Sequence, residues 1–426
     1  MKRLLWLLLA VSPAAPAQPF LAGLARADIT PRAMLPMYGY PNRTCPVAEG
    51  THDPLHAKAL VLAAGKDRLA IVTLDAGTFG SAALQKRVAA ELGIPVLLVA
   101  SSHTHSGPRF ARSDEERTPV VEAQRQYHAE LEETIFQLVK QASQAMFPAK
   151  LGLGKGALQL GYNRLVLRED GRARADFSNL SHIPYGPVDP EFVVLRIDDE
   201  AGRVRAVVVH YACHSVVMQG WNCLYSADWP GAMQSKVEAG LPGAQCMFVQ
   251  GGAGDINPMM MGMAKNSQED FRVLDKMGEA MSTHVLRAAR AIRTFIPEKP
   301  GIRSKSEILT FPDRWDKSRS LEVGITTVLL HDEIAIAAVP GEPFHRLQTF
   351  WKSQPDVAWP LFYGYTVSVG ESWPGYIPDV RSAAFGGYGA DASTRIAVGT
   401  GEQIMLRHVI NLYDLKGMWL AAPGKQ

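Results

Sequence analysis

Two histidines lie two positions apart in VASSHTHSGP, residues 99–108, directly after an apolar run. His103 and His105 could bind one metal ion, or one could bind while the other transfers protons, because imidazole does both. Side chains at positions i and i+2 of an extended backbone point the same way, so both rings can reach one site. Histidines of a solvated loop are the third interpretation, and this segment alone does not choose among the three.

Three further segments also place polar side chains after apolar runs. VVVHYACHSVV carries His210 and His214, FVQGGAGDINP carries Asp255, and AIAAVPGEPF carries Glu342. An unpaired charge at a buried strand end is costly, so four such endings indicate that the side chains converge. His103, His214 and Glu342 would form a His₂Glu set with an open position for water, as catalytic zinc sites require. For each residue, capping a turn or filling the core is the structural alternative.

Other common catalytic motifs do not occur in the sequence. There is no G-x-S-x-G segment of the kind that carries a nucleophilic serine. There is also no H-E-x-x-H helix, and the glycines of GGAGD are not followed by the Lys-Ser/Thr pair of a phosphate-binding loop. The sequence therefore gives no support to these three kinds of site.

The elements that must position these residues alternate between strands and helices. KALVLAA, RLAIVTL and PVLLVAS read as buried strands, SAALQKRVAAEL as a helix between two of them, and FVVLRID, RVRAVVVHYA and AQCMFVQ as later strands. GITTVLLHD and EIAIAAVPG read as a hairpin with His331–Asp332 in the turn. This order predicts an α/β fold, with a large mixed β-sheet core flanked by helices in a single catalytic domain. A domain boundary near residue 300 is the alternative.

Helices are predicted from capping residues and apolar periodicity. One begins at Thr118-Pro119 and keeps its apolar face to about Phe147, since threonine caps a helix and proline suits its first position. DWPGAMQSKVEAGL and EDFRVLDKMGEAMSTHVLRAARAI are two more, and helices near 342–353 and 400–413 complete the set. The polar segments follow strands, where active sites of open α/β sheets lie.

The N-terminus predicts export. Lys2 and Arg3 precede a short apolar run, and Ala15-Pro16-Ala17 supplies small residues for cleavage after Ala17. Residues 1–17 then form a signal peptide and 18–426 the hydrolase domain, and a buried N-terminal helix is the alternative. No later segment has about 18 uninterrupted apolar residues. We therefore expect a secreted or periplasmic protein without a transmembrane segment.

Charge and cysteine content limit the binding partners and the cysteine chemistry that we expect. The chain has 44 basic and 42 acidic residues, and removal of Lys2 and Arg3 leaves 42 of each. This balance gives no electrostatic reason to expect binding to nucleic acid or to an anionic membrane. The spacings between the four cysteines do not match a CxxC zinc-binding motif, and export permits disulfides. Cys213 and Cys223 could pair, but the sequence does not decide the connectivity.

A family resemblance follows from motifs that occur in a fixed order. They are SSHTHSGP, Asn163-Arg164, ACHSVV, SADWPG, GGAGDINP, VPGEPF and GYIPDVRSAAFGGY. Together they resemble the catalytic domain of the neutral/alkaline, non-lysosomal ceramidases, from about residue 20 to residue 415. The resemblance implies a zinc-dependent amidohydrolase that cleaves the N-acyl bond of ceramide, or of a related lipid-like amide, to release a fatty acid.

The resemblance also implies roles for individual residues. The zinc ligands would be His103, His214, Glu342 and Tyr376. The catalytic set would contain His105 as the second active-site histidine, with Arg164, Tyr388 and Asn257 on the substrate side. In this scheme His105 transfers a proton to the leaving amine, and Arg164 orients a substrate oxygen. Asp75, Asp228 and Asp255 are candidates for holding the ligand imidazoles.

Three departures from the family pattern bear on the substrate. Asn257 stands where the characteristic ceramidases carry the serine of Gly-Asp-Val-Ser-Pro-Asn, and an amide is no nucleophile, so zinc-bound water must attack. The acidic, tyrosine-containing run that usually follows the metal tyrosine is replaced by IPDVRSAAFGGY. We also expect no C-terminal immunoglobulin-like domain. A zinc esterase or lactonase with another substrate, and a catalytically inactive binding homologue, are the alternative functions.

Overall fold

The computed structural model describes residues 19–391 and 393–419. The predicted signal peptide, residues 1–17, lies outside the described residues. The strands are β1 (Phe20–Asp28), β2 (Gly50–Thr51), β3 (His56–Ala64), β4 (Asp67–Leu74), β5 (Leu97–Ser101), β6 (Phe147–Ala157), β7 (Gly161–Asn163), β8 (Leu165–Leu167), β9 (Ala173–Ala175), β10 (Glu191–Asp199), β11 (Val204–Tyr211), β12 (Leu224–Tyr225), β13 (Gln245–Gln250), β14 (Ile256–Pro258), β15 (Ile302–Pro312), β16 (Ser320–Leu330), β17 (Ile334–Ala338), β18 (Glu342–Pro343), β19 (Trp359–Tyr363), β20 (Thr366–Val367) and β21 (Tyr376–Ile377). The helices are α1 (Ala82–Leu92), α2 (Pro119–Gln144), α3 (Asp228–Gly240), α4 (Ser267–Ala291), α5 (His345–Ser353), α6 (Val380–Phe385) and α7 (Thr400–Leu415).

The helix limits follow from local chemistry. The Thr118 side chain accepts a hydrogen bond from the Val121 N–H, and Pro119 occupies the first turn of α2, so the predicted start is confirmed. The helix ends at Gln144, because Phe147 already belongs to β6. The predicted extension of this helix to Phe147 is therefore wrong by one turn.

Two β-sheets pack face to face in the centre of the molecule. The larger has nine strands in the order β13-β11-β10-β6-β1-β3-β4-β5-β20, and the smaller has four in the order β15-β16-β17-β19. The β11–β13 and β4–β5 pairs are parallel, whereas β3–β4 and β10–β11 are antiparallel. Alternate residues, such as Leu60 and Leu62 of the larger sheet and Ile336 of the smaller, share the core between the sheets.

Helices cover the outer faces of both sheets. Residues of β3 that point away from the central core, Ala59 and Val61, pack with α1 and α2 residues such as Leu138. Helices α3 and α4 cover β10, β11 and β13, and α5 and α7 cover the smaller sheet. The predicted mixed α/β class is thereby confirmed. The structure contains two facing sheets in the core, whereas the pattern of strands in the sequence does not show which strands belong to which sheet.

The disulfide joins cysteines that lie far apart in the sequence. Cys45 bonds to Cys223 across 178 positions, whereas Cys213 and Cys246 are buried free thiols. The Cys213–Cys223 pairing that the sequence left open is therefore wrong. Among the described residues, no helix is both long and apolar enough to cross a membrane.

The predicted strand ends meet at one place. Strands β5 and β13 lie at or near opposite ends of the nine-stranded order. Their carboxyl ends are nevertheless tied together, because Ser215 Oγ donates to Ser102 O at 2.7 Å and Gln250 Nε2 donates to the same oxygen at 3.4 Å. This closure brings the segments after β5, β11 and β13 into contact.

Candidate metal and substrate site

Three imidazoles and a carboxylate meet where these segments converge. His103, His105 and His214 each offer a ring nitrogen within 4.8 Å of the others. Glu342 Oε2 lies 3.3 Å from the Nε2 atoms of both His103 and His214. His214 Nε2 and Glu342 Oε2 are buried without a hydrogen-bond partner among the described residues. Buried nitrogen and oxygen atoms that face each other without a hydrogen-bond partner are the arrangement in which a cation could be bound.

The tautomers of His103 and His214 follow from their backbone contacts. His103 Nδ1 lies 2.8 Å from Gly77 O, and His214 Nδ1 lies 2.6 Å from Ala253 O. A carbonyl oxygen only accepts, so each Nδ1 carries the proton and each Nε2 presents a lone pair. Burial lowers the pKa of His214 to about 4, which keeps the ring neutral at pH 7. Neutral imidazole is the form that binds metal.

Glu342 and Tyr376 are neighbours in a short parallel bridge. Strands β18 and β21 pair Glu342 with Tyr376, so a position after β17 and a late loop share one wall of the site. From this wall Glu342 Oε2 faces the Nε2 atoms of His103 and His214. The structure thus brings together the four residues predicted as ligands.

Arg164 and Asn257 form a second group beside the imidazoles. Arg164 is buried, and its guanidinium donates to Asn257 Oδ1 at 3.0 Å and to Gly254 O at 2.7 Å. Its Cζ atom lies 5.4 Å from the centre of the Tyr376 ring and 5.2 Å from that of Tyr388. Arg164 Nε has no partner among the described residues, so one donor remains for a bound oxygen.

His105 is held by the loop that follows β1. The rings of Tyr38 and Tyr40 meet its imidazole edge-on, with centroids at 5.5 and 5.0 Å. Arg43 donates to His105 O at 2.5 Å. The Nε2 atom of His105 lies 3.4 Å from that of His103. Burial lowers the pKa of His105 well below its usual value, so the ring is neutral and able to accept a proton.

A cavity of about 580 Å³ leads from the surface to this cluster. Its inner end contains His105, His214 and Arg164, and its walls include Tyr40, Trp221, Phe177, Val216 and Met261, with Tyr388 at the mouth. Tyr388 is 43% exposed, so its hydroxyl is accessible from the cavity. Mostly aromatic and aliphatic walls around a few polar groups are typical of a small-molecule site.

Four predicted site-supporting residues lie elsewhere. His210 is buried and its Nε2 contacts Phe362 O at 2.6 Å, outside the cluster. Asp75 accepts a hydrogen bond from the backbone N–H of the first residue of β3, and Asp228 accepts from two backbone N–H groups of the loop after β11. Asp255 pairs with His345 at 2.6 Å. The interpretation of these aspartates as imidazole partners is wrong, because backbone carbonyls fill that role for both His103 and His214.

Sequence reasoning missed several residues that surround the imidazoles. Tyr38 and Arg43 belong to MYGYPNRTC, a segment with no apolar run before it. Tyr365 and Trp373 contact His103, with ring centroids at 4.6 and 6.2 Å. Tyr365 follows β19 by two positions, so the strand-end rule that identified the other segments could have found it.

The fold and the site together define a mixed α/β protein with a buried cluster of histidine and carboxylate side chains, which could hold a metal ion, at the inner end of an apolar cavity. Residues 20–285 match the sequence profile described as neutral/alkaline non-lysosomal ceramidase, N-terminal. That match spans 266 of the 426 residues. The chain therefore belongs to the neutral/alkaline ceramidase family.

Solved structures with a similar fold include two ceramidases. The neutral ceramidase from Pseudomonas aeruginosa superposes with a TM-score of 0.75 at 18% identity, over 95% of this chain and 76% of that chain. A ceramidase described as complexed with C2 gives 0.73 at 17% identity, over 96% of this chain and 77% of that chain. At these identities the likeness shows a shared fold.

Proposed function

We propose that this protein is an exported zinc-dependent hydrolase that cleaves the N-acyl amide bond of ceramide or of a related lipid-like amide. The observation that carries the proposal is the buried set of facing, unpartnered Nε2 and carboxylate atoms at the inner end of an apolar cavity. Family membership supports the amide as the bond that is cleaved. The Cys45–Cys223 disulfide supports an oxidising compartment.

The residues present fit zinc. We assign His103, His214, Glu342 and Tyr376 as its ligands, since imidazole nitrogen and carboxylate oxygen are preferred by this ion and an open position can remain for water. When bound, zinc lowers the pKa of a water ligand to about 7 and so supplies hydroxide near neutral pH. The backbone carbonyls that fix both histidine tautomers would keep the two Nε2 lone pairs directed at the ion.

The remaining residues would orient the amide and move protons. Tyr388 donates a hydrogen bond to the substrate carbonyl oxygen, where negative charge develops during attack by water. Arg164 uses its free Nε–H to orient a substrate oxygen, and Asn257 fixes the guanidinium. His105 takes the proton released by the attacking water and delivers it to the amide nitrogen. The C–N bond then breaks, leaving a fatty acid and an amine.

Water is the nucleophile in this scheme because an amide stands in place of the family serine and cannot attack. Asn257 occupies the position of the family serine, and its carboxamide already bonds to Arg164 and to Met261 Sδ. The apolar walls formed by Val216, Met261 and Phe177 would bind the acyl or alkyl chain.

A matched pair of variants and a pair of substrates test the proposal. The zinc-loaded protein is assayed with a fluorescent short-chain ceramide beside the fatty ester of the same chain length. Metal content is measured for the wild type, His103→Ala and His105→Ala. We expect amide cleavage, loss of zinc and activity in His103→Ala, and loss of activity with most zinc kept in His105→Ala.

Each result that departs from this pattern has a distinct meaning. Cleavage of the ester alone would make the protein an esterase on the same site. A wild type that takes up no zinc under careful metal loading would refute the hydrolase mechanism. Equal zinc loss in both histidine variants would show that His105 is a ligand and that the assignment within the pair is wrong. Export is tested separately by N-terminal sequencing of the mature protein, which should begin at Gln18.

A further inference from the structure

Tyr365 joins the two sheets directly beside the imidazoles. It lies between β19 of the smaller sheet and β20 of the larger, and its carbonyl accepts a hydrogen bond from Ser101 N at 3.1 Å. Its φ is 54°, in the left-handed region. A bulky residue adopts this conformation only where the surrounding structure holds it, and such positions concentrate at functional sites.

The Tyr365 ring packs against both proposed histidine ligands. Its centroid lies 4.6 Å from that of His103 and 6.1 Å from that of His214. Trp373 also packs beside this ring, with its centroid 6.1 Å from that of Tyr365 and 6.2 Å from that of His103. The cavity reaches the cluster from the direction of Tyr376 and Arg164. Tyr365, which is 0% exposed, therefore approaches the cluster from the buried side.

The hydroxyl of Tyr365 has no hydrogen-bond partner among the described residues. Tyr211 shows the usual arrangement, because its buried hydroxyl donates to Leu158 O at 2.7 Å and accepts from Leu160 N at 3.0 Å. A buried hydroxyl without a partner is unfavourable, so a group that binds the site would supply the missing contact. A phenol hydroxyl carries one proton, so it can donate one hydrogen bond to such a group.

We propose that Tyr365 is a further catalytic residue, whose hydroxyl donates a hydrogen bond to the reacting oxygen bound between His103, His214 and Glu342. The inference rests on the proposed function. No bond of Tyr365 forms or breaks, and its proton stays on the phenol throughout. The donor stabilises charge on the reacting oxygen from the side opposite Tyr388 and Arg164. The left-handed backbone of Tyr365 turns its ring toward the imidazoles at the point where the chain passes from the smaller sheet to the larger.

The test compares Tyr365→Phe with Tyr211→Phe, since each variant removes one buried hydroxyl and nothing else. Zinc stoichiometry, thermal midpoint, kcat and KM are measured for both, with the visible spectrum of the cobalt-substituted protein as a readout independent of activity. For Tyr365→Phe we expect kcat to fall about 100- to 1,000-fold, with KM within about threefold and zinc retained. Its thermal midpoint should stay the same or rise, and the cobalt bands should shift.

Tyr211→Phe should show the opposite pattern, with a lower thermal midpoint, unchanged kcat and unchanged cobalt bands. Unchanged kcat and unchanged cobalt bands in Tyr365→Phe would overturn the proposal and make the hydroxyl the partner of a structural water. Loss of zinc from Tyr365→Phe would also overturn it, since the residue would then support a ligand. If the wild type cleaves neither amide nor ester, the proposed function fails, and the cobalt spectra alone still decide whether Tyr365 contacts the bound oxygen.

Discussion

A methyl group added at Gly39 should displace the His105 ring and so disable it. Gly39 has φ 93°, and a Cβ atom built there would lie 2.2 Å from Cγ and 2.3 Å from Nδ1 of the His105 ring. An ordinary contact begins at 3.4 Å, so the ring must move by about 1.2 Å. A displacement of about 1 Å in a catalytic group can cost about 100-fold in rate. We therefore expect Gly39→Ala to lower kcat by about 100-fold and to keep the zinc.

The expected cost to folding is modest. Alanine in the left-handed region is strained by about 1–2 kcal/mol, and the contact with His105 adds to this until the ring moves. Gly93→Ala is the matched control, because Gly93 also has a left-handed φ of 63° but no atom of the residues that the structure describes lies within 4 Å of its added Cβ. Both variants should lose similar stability in chemical denaturation, and only Gly39→Ala should lose activity.

The assay is steady-state hydrolysis of the short-chain ceramide by zinc-loaded protein, with metal content measured on the same samples. If Gly39→Ala keeps kcat within twofold of the wild type while folding normally, the position of the His105 ring does not limit the reaction. The role of His105 in proton transfer would then be refuted. Loss of zinc from Gly39→Ala would instead show that the loop supports the metal ligands.

Three further outcomes follow from the structure. Replacing both Cys45 and Cys223 by serine opens a loop of 178 positions and should cost about 2–5 kcal/mol of unfolding free energy; an unchanged denaturation midpoint would contradict this. His345→Gln removes the imidazole partner of the buried Asp255, which keeps its hydrogen bonds from Asn163 Nδ2 and from the backbone N–H of residue 345, and should cost about 3 kcal/mol near pH 6. The contact with Asp255 raises the pKa of His345 against the effect of burial. The stabilisation that this ion pair gives is therefore complete below pH 6.5 and is lost as pH rises through the raised pKa. Denaturation curves should show a smaller difference in unfolding free energy between wild type and variant at pH 9 than at pH 6. Asn257→Ala should reduce kcat modestly with zinc retained, and complete loss of activity would assign that amide a larger role.

Much of the fold could be predicted because it depends on short stretches of sequence. The Thr118-Pro119 helix start, the buried strands and the hairpin at His331–Asp332 are local patterns of capping, apolar periodicity and turn residues. Strands β1, β6 and β15 were not predicted, since their exposed faces carry charged or small residues that interrupt the apolar runs. The facing arrangement of two sheets depends on contacts between distant segments, which no local pattern encodes.

The same division applies to the site. The sequence by itself indicated which side chains lie together, because His103, His214 and Glu342 are polar residues at the ends of apolar strands. Only the tertiary structure decided what holds them. Backbone carbonyls of Gly77 and Ala253 fix the imidazoles, and a carbonyl is the same in every residue, so no residue type marks it in advance. The unpartnered hydroxyl of Tyr365 became visible for the same reason: a missing partner is a property of the packed structure, where each buried polar atom can be checked against its neighbours.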